Sequence, residues 1–358
     1  MKMTPLHEQH QQLGARMGEF GGWDMPIQYA GILDEHEHTR NHCTVFDICH
    51  MGEFELCGKT ALHDLEKLLT CTIHSMKIGQ VRYGFMLNDE GGVIDDLTCY
   101  RLCEERYMLV VNAGTAEKDA EWIQRRISDT TLFVDRSSVT SKLDIQGPEA
   151  LDVLEEVLGC ALPELGYFRA KEFQALDASI ISRTGYTGER GYEIYLPNEE
   201  VVELWSKLVA HPNCEPGGLG ARDTLRLEMG YALYGHELSD ARTPAEMSRG
   251  MFIDCNKEFI GKEAVMHELE IPKNLLIGLK FDSKRAAREH DKVFSGEAEV
   301  GEVTSGSLAP SLGVAVAMAY VKSEGVTVGK MLEVEIRGKR FSAEIVELPF
   351  YKEGTARG

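Results

Sequence analysis

The sequence predicts an α+β fold of two similar strand–helix–strands–helix halves plus a C-terminal small β-barrel. An internal repeat, which places similar segments 89 residues apart, is the first observation behind this prediction. Each half also ends in a helix with a Trp, Trp122 in one and Trp205 in the other. After about residue 275 the character changes to strand-like runs punctuated by Gly and Pro. The predicted regions are 1–275, with halves at about 50–135 and 140–210, and 276–358.

The internal repeat aligns residues 54–69 with residues 143–158. Each segment is a short alternating strand, a Gly turn and a helix with apolar residues at 3–4 spacing. The coinciding positions are Gly58/Gly147, Ala61/Ala150, Leu62/Leu151, Leu65/Leu154, Glu66/Glu155 and Leu69/Leu158. Their number favours duplication over a chance likeness between two ordinary strand–Gly–helix modules. Two such copies side by side form a seam, where we expect a pocket.

The last part of the chain predicts a small β-barrel or a distorted sandwich. Its strand-like runs cover residues 276–281, 301–306, 314–321 and 332–336. Residues 282–292 are rich in charge, so we expect them to form a loop between strands.

The composition is that of an ordinary folded protein with a strong excess of acidic residues. Hydrophobic residues make up 43% and charged residues 27%, and the formal net charge is −20. This charge argues against a nucleic acid or an anionic membrane as the main partner, because both repel an acidic protein. No stretch approaches the length of a membrane span, and the N-terminus lacks a basic-then-apolar signal. The sequence therefore predicts a cytoplasmic protein.

The cysteines and histidines show no metal-binding pattern. The nine Cys form an odd set without a CxxC pair, and we expect reduced, mostly buried thiols. His7 with His10, and His36 with His38, lack the helical spacing and the intervening Glu of a zinc protease. Surface or capping roles fit these histidines better, and no metal site is predicted.

The most informative stretch is residues 91–97, Gly-Gly-Val-Ile-Asp-Asp-Leu. Gly91 and Gly92 would supply the positive φ of a hairpin turn, and side chains of the following strand alternate between two faces. Asp95 and Asp96 then lie on different faces among apolar residues, where a carboxylate is costly to bury without a partner. Two interpretations remain open. Either this is an edge strand with one solvated and one turn-bonded Asp, or one acid points at a ligand.

Further polar residues lie in turns rich in Gly, Tyr and Met. These segments are 50–53, 80–83, 110–114, 185–193 and 220–226. The sequence has no phosphate-binding loop, dinucleotide fingerprint or nucleophilic-serine elbow. The residue types suit a flat, hydrogen-bonding heterocycle packed by Tyr and Met, with Glu193 on an N–H edge and Arg222 on an anionic tail. The alternatives are a helix-face ion pair for Arg222 and a solvated strand position for Glu193.

Taken together, these segments resemble the aminomethyltransferase family of the glycine cleavage system, the T-proteins. The likeness extends from residues 21–29 to 348–351, through 50–53, the Asp96 hairpin, 185–189, 220–223 and 303–306. The resemblance implies a three-part cloverleaf around a central cavity for tetrahydrofolate, the co-substrate. It also implies a reaction in which the methylene of an aminomethyl group on the lipoyl arm of H-protein is transferred to tetrahydrofolate. The products are ammonia and 5,10-methylenetetrahydrofolate. The implied partners are lipoylated H-protein and the other glycine cleavage components.

The resemblance also implies roles for individual residues. The family's catalytic acid falls on Asp96, which would stay ionised, orient the folate nitrogens and stabilise positive charge on them. Glu193 matches the residue that reads the pterin edge, and Arg222 matches the anion-side ligand. The positions that match the lining of the folate cavity are Met51, Tyr83, Val111, Asn112, Tyr186 and Tyr234.

The chain departs from the family pattern at three places. Cys49 replaces a Ser before His-Met-Gly, and Thr70-Cys71-Thr72 replaces Thr-Asn-Asp. In residues 246–252, Phe252 replaces a Trp beside the pocket. These departures bear on the substrate channel and the H-protein surface.

The acidic chain must dock a partner that is usually acidic as well. Lys284, Arg285 and Arg288 form the expected basic patch. The alternative is a solvated charged loop without a partner.

Two rival functions share the scaffold. One is a tetrahydrofolate-dependent demethylase that takes a methyl group from a small sulfur or amine compound, against which the Gly91-to-Asp96 hairpin counts. The other is a non-enzymatic folate-binding factor for iron–sulfur assembly. That class carries a Lys-Gly-Cys motif followed by Gly-Gln-Glu, whereas residues 256–263 here read Asn-Lys-Glu-Phe-Ile-Gly-Lys-Glu.

Overall fold

The computed structural model describes residues 1–174, 176, 179–247 and 250–358. The chain divides into two compact units. The first comprises Met1–Gly84, Asp96–Arg222 and Gly354–Gly358, and the second comprises Phe85–Asp95 and Asp223–Glu353.

Helices lie between runs of consecutive strands up to about residue 274, after which the regular structure is mostly strand. The α-helices are α1 (His7–Gln12), α2 (Ile32–Asn41), α3 (Ala61–Leu68), α4 (Ala116–Gln124), α5 (Ala150–Leu158), α6 (Asn198–Val209), α7 (Leu219–Glu228) and α8 (Lys262–Glu270). The strands before the second half are β1 (Arg16–Phe20), β2 (Trp23–Gln28), β3 (Cys43–Asp47), β4 (Gly52–Cys57), β5 (Val81–Leu87), β6 (Val93–Arg101), β7 (Arg106–Val111) and β8 (Leu132–Asp135). The later strands are β9 (Thr140–Gln146), β10 (Ala170–Phe173), β11 (Ser179–Ser182), β12 (Gly191–Pro197), β13 (Cys214–Gly217), β14 (Asn274–Phe281), β15 (Lys292–Ser295), β16 (Ala298–Ala309), β17 (Val314–Lys322), β18 (Met331–Ile336) and β19 (Lys339–Val346). Short 3₁₀ turns lie at Pro244–Met247, Gly250–Phe252 and Pro310–Leu312.

The predicted α+β class with its repeated unit is confirmed. One half runs β4, α3, β5, β6, β7, α4, and the other runs β9, α5, β10, β11, β12, α6. Their strands form a sheet of order β5-β6-β7-β4-β8 and a sheet of order β10-β11-β12-β9-β3-β13, while β1 and β2 pair with each other. The boundaries given from the sequence for the regions and halves stay predictions.

The repeated Gly has the same structural cause in both copies. Gly58 and Gly147 have φ of 120° and 131°, which an L side chain rarely adopts. A Cβ would lie 2.8 Å from Thr130 O at Gly58, and 2.0 Å from His42 O at Gly147. Each glycine is required because its turn is left-handed and packed against backbone.

The repeated Glu also has equivalent contacts in both copies. Glu66 Oε1 accepts a hydrogen bond of 2.8 Å from the N–H of Ile73, seven residues later. Glu155 Oε1 accepts one of 2.8 Å from the N–H of Leu162, again seven residues later. The two helix–loop junctions therefore share a side-chain contact as well as a sequence pattern.

Strand β9 separates the core from the polar side of the second half. Leu143 and Ile145 belong to a buried cluster that includes Trp205 of α6. Because side chains alternate along a strand, Lys142, Asp144 and Gln146 lie on the other face. All three of these polar side chains have 0% exposure. A polar face that is fully buried needs partners, and those partners form the site described below.

The C-terminal strands form a closed barrel of order β14-β17-β16-β15-β18-β19, so the distorted-sandwich alternative is wrong. The four predicted strand runs fall within β14, β16, β17 and β18, and residues 282–291 separate β14 from β15. Strands β15 and β19 were not predicted, because β15 has four residues and both begin with charged residues. Closure pairs every strand on both sides and leaves no sheet edge.

The described residues also bear on membrane spans, metal sites and the state of the cysteines. None of the described helices is both long and apolar enough to cross a bilayer. No cluster of three or more His, Cys, Asp and Glu suited to a metal is found in the described part of the chain. The nine cysteines are free thiols, and the buried ones are Cys43, Cys49, Cys71, Cys99 and Cys214.

Candidate functional site

A polar face shared by β9 and β12 forms the centre of the site. The two strands are antiparallel, and the directly opposed pairs are Gln146/Gly191, Asp144/Glu193 and Lys142/Tyr195. Gly191 is needed because a Cβ there would lie 2.2 Å from Nε2 of Gln146. Two carboxylates opposite each other repel, so Asp144 and Glu193 each require compensation.

Arg222 compensates Asp144. Its Nη1 donates to Oδ2 of Asp144, and Gln146 Nε2 donates to Oδ1 at 2.5 Å. The pKa of Asp144 is raised to about 6, chiefly because the group is buried; Arg222 opposes the increase and the Glu193 charge adds to it. The contact is an ion pair between a helix and a strand, rather than along one helix face.

The guanidinium of Arg222 also faces Tyr186, with its carbon 5.2 Å from the ring centroid. Its helix α7 is held at the start by Glu35, whose Oε2 accepts a 2.8 Å hydrogen bond from the N–H of Gly218. A Cβ at Gly218 would lie 2.3 Å from Ile27 O, so a glycine is needed for the two backbone segments to approach each other this closely. Arg222 is thus held between a buried acid and a half-buried Tyr.

Three hydroxyl groups hold one oxygen of Glu193. Oε2 accepts hydrogen bonds from Thr184 Oγ1 at 2.5 Å and from the hydroxyls of Tyr100 and Tyr195, each at 3.2 Å. Tyr100 and Tyr195 are also joined to each other, O to O, at 2.7 Å. None of the described residues donates a hydrogen bond to Oε1 of the half-buried Glu193. A fixed carboxylate with one open oxygen suits an N–H edge of a ligand.

Asp96 is held from both sides on β6. The hydroxyl of Tyr83 donates to Oδ2 at 3.0 Å, and Nδ2 of Asn112 donates to Oδ1 at 2.9 Å. Asp96 and Tyr100 lie four residues apart on one strand face, which corresponds to about 13 Å. Because Tyr100 donates to Glu193, the face of β6 that carries Asp96 also carries a contact with Glu193.

The structure corrects two details of the Asp95–Asp96 segment. The edge-strand alternative is wrong, because β6 lies between β5 and β7 in the sheet. Gly91 has a φ of 84°, but Gly92 has no positive φ, so the expectation that both glycines supply one is wrong. Gly92 is required for space instead, since a Cβ would lie 1.8 Å from Asp240 O. Asp95 is fully buried and Asp96 is half-buried.

The other predicted cavity residues differ in their surroundings. Met51 is half-buried and accepts a contact of 3.5 Å from Lys142 Nζ at its sulfur. Val111 is fully buried opposite Gly52, where a Cβ would lie 2.7 Å from its Cγ2. Tyr234 belongs to the second unit and forms an isolated bridge with Leu238. Their roles, like those of Asp96, Glu193 and Arg222, stay predictions.

Two buried titratable groups of the 50–53 segment, His50 and Glu53, lie close enough to Lys142 to interact with it electrostatically. Burial raises the pKa of Glu53 to about 8, against the lowering effect of Lys142. Burial lowers the pKa of His50 to about 3, so the imidazole is neutral at physiological pH. His50 packs edge-on against Phe20, with ring centroids 5.5 Å apart.

The departures from the family pattern have clear local surroundings. The Cys49 thiol donates to the Lys142 carbonyl at 3.3 Å, and burial raises its pKa well above the usual value, so it stays protonated. The sulfur of Cys71 fills the space above Gly84, where a Cβ would lie 2.7 Å from it. Phe252 packs against Phe85 with ring centroids 6.3 Å apart. Ser248 and Arg249, in the same segment, lie outside the described residues.

Sequence reasoning missed the residues that support the predicted ones. These are Tyr100, Lys142, Asp144, Gln146, Thr184 and Tyr195. A signal existed for three of them, because polar residues recur at every second position from 142 to 146 within a predicted strand. Tyr100, Thr184 and Tyr195 give no such signal in the sequence. Their common partner, Glu193, is determined by how the strands pack.

Family models match both parts of the chain. One described as the GCVT N-terminal domain matches residues 6–257. Another, described as the glycine cleavage T-protein C-terminal barrel domain, matches residues 275–352.

Relatives that align with nearly the whole chain are named aminomethyltransferases. Proteins named aminomethyltransferase from Halothermothrix orenii and Thermosipho melanesiensis are 40% and 41% identical to this chain. The alignments cover 98% of this chain and 100% and 98% of those proteins. A crystal structure of glycine cleavage system aminomethyltransferase T from Bartonella henselae matches with a TM-score of 0.94, at 36% identity and 99% coverage of both chains.

Proposed function

Because the chain belongs to the glycine cleavage T-protein family, we propose that it is an aminomethyltransferase acting with tetrahydrofolate. It takes the methylene carbon of an aminomethyl group that is bound to sulfur on the lipoyl arm of H-protein. The carbon–sulfur and carbon–nitrogen bonds break and two bonds to folate nitrogens form. The two folate N–H protons end on the sulfur and on the departing ammonia, so the reaction needs no oxidant.

One observation supports this proposal most directly, the half-open carboxylate of Glu193. Its Oε2 is held by three hydroxyls, which leaves Oε1 for the N–H edge of a pterin. The donors surrounding it are neutral, so Glu193 keeps acceptor character towards a ligand. The residues present therefore fit a folate, which supplies the nucleophilic nitrogens when it is bound.

In this proposal Asp96 acts at the nitrogens. Hydrogen bonds from Tyr83 and Asn112 fix the orientation of its carboxylate. A carboxylate held in this way stabilises positive charge that develops on a neighbouring nitrogen. Arg222, which lies on α7 and is oriented by Asp144, supplies positive charge for the anionic part of the ligand.

We propose lipoylated H-protein as the partner, within the glycine cleavage system and in the cytoplasm. The basic patch of Lys284, Arg285 and Arg288 is exposed, as a docking surface for an acidic protein requires. Arg285 stacks 5.0 Å from the Phe341 centroid, and Arg288 Nη1 donates to Gly306 O at 2.8 Å. Because these contacts already order the side chains of Arg285 and Arg288, less conformational entropy is lost when a partner binds them.

The test is an assay with aminomethylated H-protein and tetrahydrofolate, in which ammonia and 5,10-methylenetetrahydrofolate are both followed. We expect equal amounts of the two products. Glu193→Gln should weaken tetrahydrofolate binding, because the amide presents a donor where an acceptor is needed. A wild-type protein that binds tetrahydrofolate and releases no ammonia would refute the aminomethyltransferase assignment and favour one of the rival functions.

A further inference from the structure

A buried Lys–Glu pair lies where the two halves of the repeat meet. Lys142 on β9 and Glu53 on β4 have side-chain exposures of 0% and 1%, and Nζ lies 3.7 Å from Oε1. The two positions are 89 residues apart, which makes them equivalent in the repeat. The pair therefore joins equivalent positions of the two halves.

The ammonium of Lys142 contacts two residues of the site. It lies 5.3 Å from the ring centroid of Tyr195, within the range of a cation–π interaction. It also lies 3.5 Å from the sulfur of Met51. Tyr195 in turn donates to Oε2 of Glu193. A chain of contacts thus joins the buried ammonium to the carboxylate that reads the ligand.

Glu53 does not close a tight ion pair with this ammonium. Neither of its carboxylate oxygens has a hydrogen bond to the described residues. Burial raises the pKa of Glu53 to about 8, so much of it is protonated at neutral pH. Nζ of Lys142 thus lies no nearer to a Glu53 oxygen than to the Met51 sulfur, and the Tyr195 ring is within the range of a cation–π interaction.

We propose that Lys142 is a positioning residue for the folate site, which holds the ring of Tyr195 and through it the carboxylate of Glu193. The proposal rests on the proposed function in one respect, that the ligand is a reduced folate. Asp96 is held by Tyr83 and Asn112. Loss of Lys142 should therefore impair binding of tetrahydrofolate and leave the chemical step almost unchanged.

The experiment compares Lys142→Met, the double variant Glu53→Met/Lys142→Met and the wild type. Tetrahydrofolate affinity is measured by calorimetry, kcat and KM with aminomethylated H-protein, and folding by the thermal midpoint. We expect both variants to bind tetrahydrofolate about tenfold more weakly, with kcat within about twofold of wild type. Lys207→Met, at an exposed residue of α6, is the control and should bind normally.

The double variant separates positioning from simple stability. Removing Lys142 alone leaves the buried carboxyl group of Glu53 without this polar neighbour, whereas replacing both residues with Met refills the space with apolar groups and should restore the thermal midpoint. Weak binding in a double variant of wild-type stability supports the proposal. Wild-type binding in that variant, or a loss of kcat alone, overturns it.

Tyr195→Phe supplies a second measurement, because it keeps the ring and removes the hydroxyl. It should weaken binding, and adding Lys142→Met to it should cost little more. If neither Met variant folds, unchanged binding by Tyr195→Phe overturns the proposal. A wild-type protein that does not bind tetrahydrofolate refutes the proposed function and this inference together. Normal wild-type binding with unaffected variants refutes only the inference.

Discussion

At the scale of single residues, the acids of the site have different surroundings. Asp96 accepts from a phenol and an amide, and Glu193 accepts from three hydroxyls on one oxygen only. Asp144 is fully buried against Arg222, and its pKa is raised to about 6. These differences suit three roles: a charge at the reacting nitrogens, a reader of an N–H edge, and a support for a guanidinium.

Asp96→Asn tests the first of these roles. The neutral amide cannot stabilise positive charge, so we expect kcat to fall by about 10²–10³. Folding should be retained and tetrahydrofolate affinity should change little, because one of two hydrogen bonds is kept. The measurement is steady-state kinetics with calorimetric binding, and Asp152→Asn, at an exposed residue of α5, is the control. An unchanged rate would remove Asp96 from the mechanism.

Glu53→Gln tests the pH dependence of stability. The pKa of Glu53 is raised by burial from 4.5 to about 8. The folded chain therefore holds a proton that the unfolded chain releases. The stability from that proton is complete below about pH 4.5 and is lost as pH rises towards 8. Gln has no such loss, so from about pH 5 to 8 the variant should gain stability over wild type, on the order of 3 kcal/mol.

Urea unfolding at several pH values measures this difference. The control is Glu203→Gln, whose carboxylate is exposed on α6 and should show no comparable gain. Parallel pH profiles for wild type and Glu53→Gln would contradict the raised pKa.

At the scale of elements, the repeat is fixed by its turns. Gly58 and Gly147 both combine a positive φ with close backbone contact, and Glu66 and Glu155 both bind an N–H seven residues on. Each strand–helix junction is thus determined by contacts that the sequence repeats. This explains why the duplication is visible in the sequence at positions that are not catalytic.

Gly147→Ala tests this explanation. A Cβ would lie 2.0 Å from His42 O at a φ of 131°, so the turn must shift. We expect a loss of about 3 kcal/mol in unfolding free energy, measured by urea denaturation. Gly159→Ala is the matched control, because its φ is 66° and a Cβ there meets nothing within 4 Å. That change should cost about 1 kcal/mol. Equal losses in both variants would mean that close contact at Gly147 is unimportant.

At the scale of the whole molecule, the net charge of −20 makes docking of an acidic partner unfavourable unless the contact is local. The basic patch of Lys284, Arg285 and Arg288 in the second unit is the surface that we propose for this contact. An interaction between a small patch and an acidic protein acts mainly on the association rate and weakens with salt.

Lys284→Glu/Arg285→Glu tests the patch. We expect KM for H-protein to rise about tenfold and its dependence on salt to weaken, with tetrahydrofolate affinity unchanged. Lys322→Glu, at an exposed position of β17 in the same unit, is the control for the change of charge. If the patch variant and the control have the same KM for H-protein, the docking surface lies elsewhere.

The sequence by itself determined the repeated unit, four of the C-terminal strands and the separation of Asp95 from Asp96. These features depend on local rules, since period-two alternation, Gly turns and helical spacing are read within a few residues. It missed β15 and β19, whose short or charged runs gain their pairing from the closed barrel.

Only the tertiary structure decided which groups support the predicted site residues. Asp144 meets Arg222 across 78 residues of chain, Tyr100 meets Glu193 across 93, and Lys142 meets Glu53 across the repeat. Such contacts depend on strand register and on how two sheets pack, which single-strand patterns do not encode. The physical reason is that a buried polar group is stable only with its partner, and that partner is chosen by the packing of distant segments.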